Sequence, residues 1–204
     1  QNTRATPIAM SRFGQRKLAA VGLDSLYVPH GVETNVFRQM PEHRAGLREM
    51  FGVPQDAFIV GMCAANTGVT PPRKAFPQVF QAFAELLKDH PDSYLYLHTL
   101  LSSPVGMDLM ALASQCGLPV ERLLFTGQVA YALDLVDTNG VAAIMNMFDV
   151  LANPSYGEGF GIPIIEAQAC GVPVIVNDCT SMPELCGSGW VVGGDEWYDP
   201  GHGA

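Results

Sequence analysis

Between Gly157 and Val176 the chain reads GEGFGIPIIEAQACGVPVIV, and no other stretch restricts the fold so tightly. Pro163 suits the first turn of a helix and Gly171 the position just past its end, while Val174 to Val176 is an apolar run suited to a buried parallel strand. The segment is therefore expected to run loop, helix, strand. The glycines fall immediately before the helix start, where free backbone N–H groups and the helix dipole favour an anion, and Gly159 and Gly161 let a ligand approach the backbone closely. Glu158 lies in the loop and Glu166 about one turn into the helix. Carboxylates repel phosphate but accept hydrogen bonds from sugar hydroxyls, so two of them flanking this helix start point to a ligand with phosphate and sugar parts, a nucleotide sugar. The same spacing also suits a plain α/β turn in which the dipole alone favours the glutamates.

Apolar runs alternate with helix-like stretches along the rest of the chain, the pattern of an α/β, doubly wound, Rossmann-like parallel sheet. Strands are expected at Leu26 to Val28, Phe58 to Cys63, Tyr94 to His98, Leu123 to Phe125, Val150 to Ala152, Val174 to Val176 and Trp190 to Val192. The clearest helix is Phe76 to Lys88, where Phe76, Val79, Phe80, Phe83, Leu86 and Leu87 recur at helical spacing and should face the sheet. Further helices are expected over Glu42 to Met50, Met107 to Cys116 and Gly140 to Met147. Ligands of such folds bind beyond the carboxyl ends of the strands, where Glu158, Gly127 and His98 fall.

At 204 residues and 48% hydrophobic the chain can bury a sizeable core in one domain with a short lead-in. A formal net charge of −9 argues against a broad nucleic-acid surface, yet a single nucleotide needs only one or two placed cations and a helix start. No apolar run spans a bilayer and the N-terminal residues lack the apolar core of a signal peptide, so the expected location is cytoplasmic. The five cysteines form no C-x-x-C pair and are read as reduced thiols; Cys179 and Cys186 match no zinc spacing, and no metal site is expected. A Walker loop, a G-x-G-x-x-G fingerprint and a G-x-S-x-G elbow are all absent.

Asp149, then Asn153-Pro154-Ser155, Glu158-Gly159-Phe160-Gly161, Glu166-Ala167 and Gly171-Val172-Pro173-Val174 form one ordered run. It resembles the signature of retaining glycosyltransferases of family 4, which have the two-Rossmann-domain GT-B fold. Ile8 to Ser11 with the basic stretch to Leu18, then Tyr27 to Glu33 and Phe37, resemble the passage from the family's first domain into its second. The resemblance covers the whole chain, and only the donor half of such an enzyme. It implies that residues 1–22 end or lead out of an N-terminal acceptor domain and that 23–204 form the donor-binding domain without the usual final helix.

The resemblance further implies transfer of a sugar from a nucleoside diphosphate donor, a UDP- or GDP-sugar, to an acceptor hydroxyl with retention and with no cofactor. Glu166 would accept hydrogen bonds from the ribose, Glu158 from the donor sugar, and the backbone amides of Phe160, Gly161 and Ile162 would cradle the pyrophosphate, assisted by Lys74. Glu158 and Lys74 are the expected catalytic pair, acting by binding and polarising. Arg73 adjoins Lys74, Gly31 resembles a glycine placed near the diphosphate, and Gly127, Gln128 and Val129 resemble the turn beside the nucleobase. The sequence departs from the family where an upstream arginine is usual: Met62, Cys63 and Ala64 stand there. Taken alone, Arg73 and Lys74 also suit a solvated loop, and His30 and His98 suit hydrogen-bonded structural residues. The fragment is expected to bind nucleotide without turnover, and the full enzyme to meet an acceptor, with peripheral membrane contact compatible with that role. An epimerase of similar fold and a non-enzymatic nucleotide- or sugar-binding module are the alternatives.

Overall fold

The computed structural model describes residues 5–68 and 73–193. The expected Asn66 to Lys74 loop is therefore described only at its two ends, and residues 69–72 lie outside. Six strands, β3 (Ile59–Cys63), β4 (Tyr94–His98), β5 (Leu123–Phe125), β6 (Val150–Asn153), β7 (Val174–Asn177) and β8 (Gly189–Val192), form one parallel sheet in the order β5-β4-β3-β6-β7-β8. Counted from β3, this is the 3-2-1-4-5-6 order of a doubly wound fold. The chain runs outward from β3 in one direction, then returns to start β6 on its other side.

Side chains alternate between the two faces of the sheet, as a pleated strand requires. Val60 and Met62 of β3 face Phe76, Phe80 and Phe83 of α3 (Phe76–Asp89) and Leu109 and Leu112 of α4 (Leu109–Gln115). Ile59 and Cys63 face the opposite layer, with Met145 of α6 (Thr138–Asn146) and Ile164 and Ala167 of α7 (Ile162–Ala169). α2 (Pro41–Met50) packs beside α6. The aromatic stripe expected on α3 is core, with Leu86 and Leu87 partly buried at its margin. Gly61 is required in β3 because a Cβ there would lie 2.2 Å from the Phe148 ring.

Leu26 to Val28 departs from expectation. β2 (Leu26–Tyr27) pairs in parallel with β1 (Ile8–Ala9), not with the main sheet, and α1 (Arg12–Ala20) connects the two. Leu26 and Val28 consequently stay exposed. β1 and β2 pair across the expected break between residues 22 and 23, so the lead-in and the start of the following segment form one small unit. Two short helices, α5 (Gln128–Ala132) and α8 (Met182–Leu185), occupy stretches whose sequence shows no helical periodicity.

Candidate active site

The order in which the chain adds strands reverses between the parallel neighbours β3 and β6, so the loops leaving those two strands share one crevice, where doubly wound folds seat their ligands. The loop after β3 ends in Arg73 and Lys74, immediately before α3. The loop after β6 carries Glu158. Lys74 Nζ makes an ion-paired hydrogen bond to Glu158 Oε1, and Arg73 donates to Glu158 Oε2 at 3.1 Å and to the Gly157 carbonyl at 2.8 Å. Main-chain pairing supports the contact, with Tyr156 N donating to the Arg73 carbonyl at 2.9 Å. The Lys74 and Glu158 side chains each keep only 11% of their exposure, against 51% for Arg73. Burial opposes ionisation of Glu158, but the hydrogen bond from Lys74 and the charges of Lys74 and Arg73 outweigh it and hold the carboxyl below its ordinary range. Met62, Cys63 and Ala64 are buried, and the second cation at Glu158 is Arg73.

Gly161 precedes α7 at φ 110°, and a Cβ on it would come within 2.8 Å of the Ile164 side chain, so the turn requires glycine. Among the described residues no hydrogen bond engages the backbone N–H of Gly159, Phe160, Gly161 or Ile162. Four unpaired donors at the start of an eight-residue helix are what an anion would meet. The loop is fixed from behind by two residues without a sequence signal. Thr180 Oγ1 accepts the Glu158 N–H at 3.0 Å, and Ser181 Oγ lies 2.9 Å from the Glu158 carbonyl and 2.7 Å from that of Phe160. The Phe160 ring is buried and meets His30 edge-on at 5.2 Å between centroids, which brings the Gly31 turn to the same place. A Cβ on Gly31 would touch nothing, so the protein itself does not demand glycine there.

Glu166, further along α7, faces a cavity of about 390 Å³ walled by Phe37, His98, Tyr131, Asp134 and Val136. It makes no hydrogen bond or ion pair among the described residues, and burial raises its carboxyl above the ordinary range. His98 is held by Thr126 Oγ1 at 2.7 Å from Nδ1 and packs edge-on against Tyr131, with burial lowering its pKa. Gly127, Gln128 and Val129 lie behind this wall. Gln128 turns its amide inward, donating to the carbonyls of Thr99 and Thr126 and accepting from Leu101 N at 2.8 Å, while the Val129 side chain faces solvent.

The structure thus gathers Lys74, Arg73, Glu158 and the glycine turn, and sets Glu166 one helical turn away on the cavity. Asp149 serves the fold instead. It holds the fully buried Arg48 at 2.8 Å, Arg44 at 2.5 Å and the N–H of Ile59 at 2.8 Å, tying α2 to β3 and β6. All five cysteines are free thiols, and no group of three potential metal-ligating side chains occurs among the described residues.

A family model described as "Glycosyl transferases group 1" matches residues 60–198. The chain belongs to that family and has the fold of GT-B glycosyltransferases. It is 27% identical over 158 residues to the serotype-specific mannosyltransferase WbdA of Escherichia coli, covering 77% of this chain and 18% of that protein. It is 31% identical over 181 residues to a GDP-mannose-dependent alpha-(1-6)-phosphatidylinositol monomannoside mannosyltransferase of Mycolicibacterium smegmatis, covering 85% of this chain and 43% of that protein. The solved structure of WaaG, a glycosyltransferase involved in lipopolysaccharide biosynthesis, shares the fold with a TM-score of 0.74 at 19% identity, over 97% of this chain and 51% of that one. The chain spans less than half the length of these two curated relatives. No helix of the described residues is long and apolar enough to cross a membrane.

Proposed function

We propose that this chain is the donor-binding part of a retaining glycosyltransferase that moves a sugar from a UDP- or GDP-sugar to an acceptor hydroxyl. The observation that carries the reading is the meeting of Lys74 and Arg73 with Glu158 at the crevice between β3 and β6, beside the unpaired amides that open α7. In this reading the amides of Phe160, Gly161 and Ile162 and the cations Lys74 and Arg73 take the diphosphate, whose negative charge grows as the glycosidic bond breaks. Glu158 accepts hydrogen bonds from the donor sugar, Glu166 from the ribose hydroxyls across the cavity, and Gly31 leaves room for the diphosphate to approach the backbone. The acceptor and the rest of the catalytic geometry come from an N-terminal domain, so the fragment binds nucleotide without turning over.

Calorimetric titration with UDP, GDP and ADP, repeated on Glu166→Ala and Lys74→Ala, tests the reading. One nucleotide should bind, and both substitutions should weaken it. Absence of binding at millimolar concentration, or indifference to both substitutions, would overturn it.

A further inference from the structure

We propose that Glu158 is the site's own stand-in for phosphate, a latch on Lys74 and Arg73 that donor binding opens, freeing the carboxylate for the sugar; this rests on the donor-binding reading above. Lys74 and Arg73 are neighbours in sequence, yet each ion-pairs with a different oxygen of this one carboxylate. Glu158 thus bridges the two cations as one end of a diphosphate would, beside the unpaired amides that open α7. The cations that the reading gives to the diphosphate are the ones Glu158 already holds. Two anions at such a distance repel, so the diphosphate must displace the carboxylate rather than join it.

The surroundings suit an exchange of side chains on a fixed loop. The main chain of Glu158 is anchored, its N–H donating to Thr180 Oγ1 at 3.0 Å and its carbonyl accepting from Ser181 Oγ at 2.9 Å. The contact itself is made by side chains that can turn. Lys74 carries its ammonium on a flexible four-carbon stem, and Arg73 keeps half of its side-chain exposure. A diphosphate wins both cations because it carries more charge and more acceptor oxygens than one carboxylate.

The exchange leaves the Glu158 carboxylate, 11% exposed, without its cations. An unpaired charge in so dry a place is costly unless hydrogen-bond donors replace the pair. A nucleoside diphosphate brings none, because its far end is phosphate, whereas an intact nucleotide sugar brings hydroxyls. The latch therefore tells a loaded donor from a spent one: it weakens binding of the nucleoside diphosphate left after transfer and favours its release.

The test is calorimetric titration of the chain with UDP, GDP and inorganic pyrophosphate, below the melting range of the least stable protein, on wild type, Glu158→Ala, Lys74→Met and the double variant. Glu158→Ala should bind the nucleotide that wild type takes about tenfold more tightly, because its cations are released. Against a Lys74→Met background the same substitution should gain about threefold at most, since the latch acts through Lys74. The wild type gives a second reading that needs no variant. Lys74 and Arg73 are the charged groups that hold the Glu158 carboxyl below its ordinary range, so bound nucleotide should raise its titration midpoint in carbon-13 NMR. If Glu158→Ala binds no more tightly than wild type, if the gain is as large without Lys74, or if the midpoint does not rise, the latch is refuted while nucleotide binding that weakens in Lys74→Met keeps the donor-binding reading. If neither nucleotide nor pyrophosphate binds any of the proteins at millimolar concentration, both fall.

Discussion

Replacing Glu158 with glutamine should destabilise the chain through Lys74. The two side chains are equally buried, each 11% exposed, so the substitution leaves an ammonium without its counter-charge in a mostly dry place. Breaking a buried pair by removing one partner costs ~3–5 kcal/mol, and the lower end applies where some solvent reaches both groups. Arg73, half exposed, adds little. At ~2–4 °C per kcal/mol for a domain of this size, about 3 kcal/mol corresponds to a fall in Tm of about 6–12 °C. Circular dichroism melts at neutral pH would read it, and Lys74→Met should cost a similar amount by stranding the carboxylate. The double variant, Lys74→Met with Glu158→Leu, should recover most of the loss, because an apolar pair leaves no buried charge. The pH dependence has a definite sign. The folded carboxyl titrates lower than the unfolded one, so its stabilisation is present above the ordinary carboxylate range and is lost as pH falls through the folded value. A Glu158→Gln protein melting within about 2 °C of wild type at neutral pH, or a double variant as unstable as the sum of the singles, would refute the argument.

Ser181→Ala removes a fully buried hydroxyl that sits against the Glu158 and Phe160 carbonyls; a loss of ~1–3 kcal/mol in urea unfolding is expected, with weaker nucleotide binding. Asp149→Asn should cost ~3–5 kcal/mol by the same measurement, because Arg48 keeps its charge at 1% exposure with only carbonyls left to face it, and nucleotide affinity per folded molecule should be unchanged. Glu166→Gln should behave oppositely to Glu158→Gln. The Glu166 carboxyl is raised in the fold, so its ionisation subtracts stability as pH climbs from the unfolded value to the folded one, and the Tm of the variant should gain on wild type across that interval while ribose recognition is lost.

The sheet was legible because its strands are short, doubly buried apolar runs, and Tyr94 to His98 and Leu123 to Phe125 match to the residue. Leu26 to Val28 carries the same local signal yet pairs elsewhere, since nothing in so short a run says which strand will lie beside it. The glycine turn and Glu166 were legible for a local reason: proline, glycine and carboxylate positions around a helix start are fixed within one short segment. The Lys74 contact was not legible from spacing, because 84 residues separate it from Glu158 and only the reversal of strand order brings them together. Thr180 and Ser181 hold the turn through a hydroxyl apiece, which leaves no pattern, and α5 is too short for periodicity to reveal Tyr131 and Asp134.

Backbone strain supplies a marker of the site that sequence spacing could not. Among the described residues three that are not glycine have clearly positive φ: Ala75 at 55°, Asp134 at 53° and Thr180 at 56°. For a β-branched residue such as Thr180 this is a true outlier, and for Ala75 it costs ~1–2 kcal/mol relative to a right-handed turn. Ala75 and Thr180 adjoin the contact between Lys74 and Glu158, whereas Asp134 lies on the wall of the cavity that Glu166 faces. Ala75 lets the chain turn into α3 directly after Lys74, Thr180 accepts the amide of Glu158, and Asp134 holds a carboxylate on the cavity wall. The two helices that begin at the crevice share a further device, a left-handed residue followed by proline in the first turn: Ala75 with Pro77 at α3, Gly161 with Pro163 at α7. Both helix starts thus open onto the space between β3 and β6. Among the described residues the strain at Ala75 and Thr180 falls beside the contact between Lys74 and Glu158, a placement that suits a preorganised site.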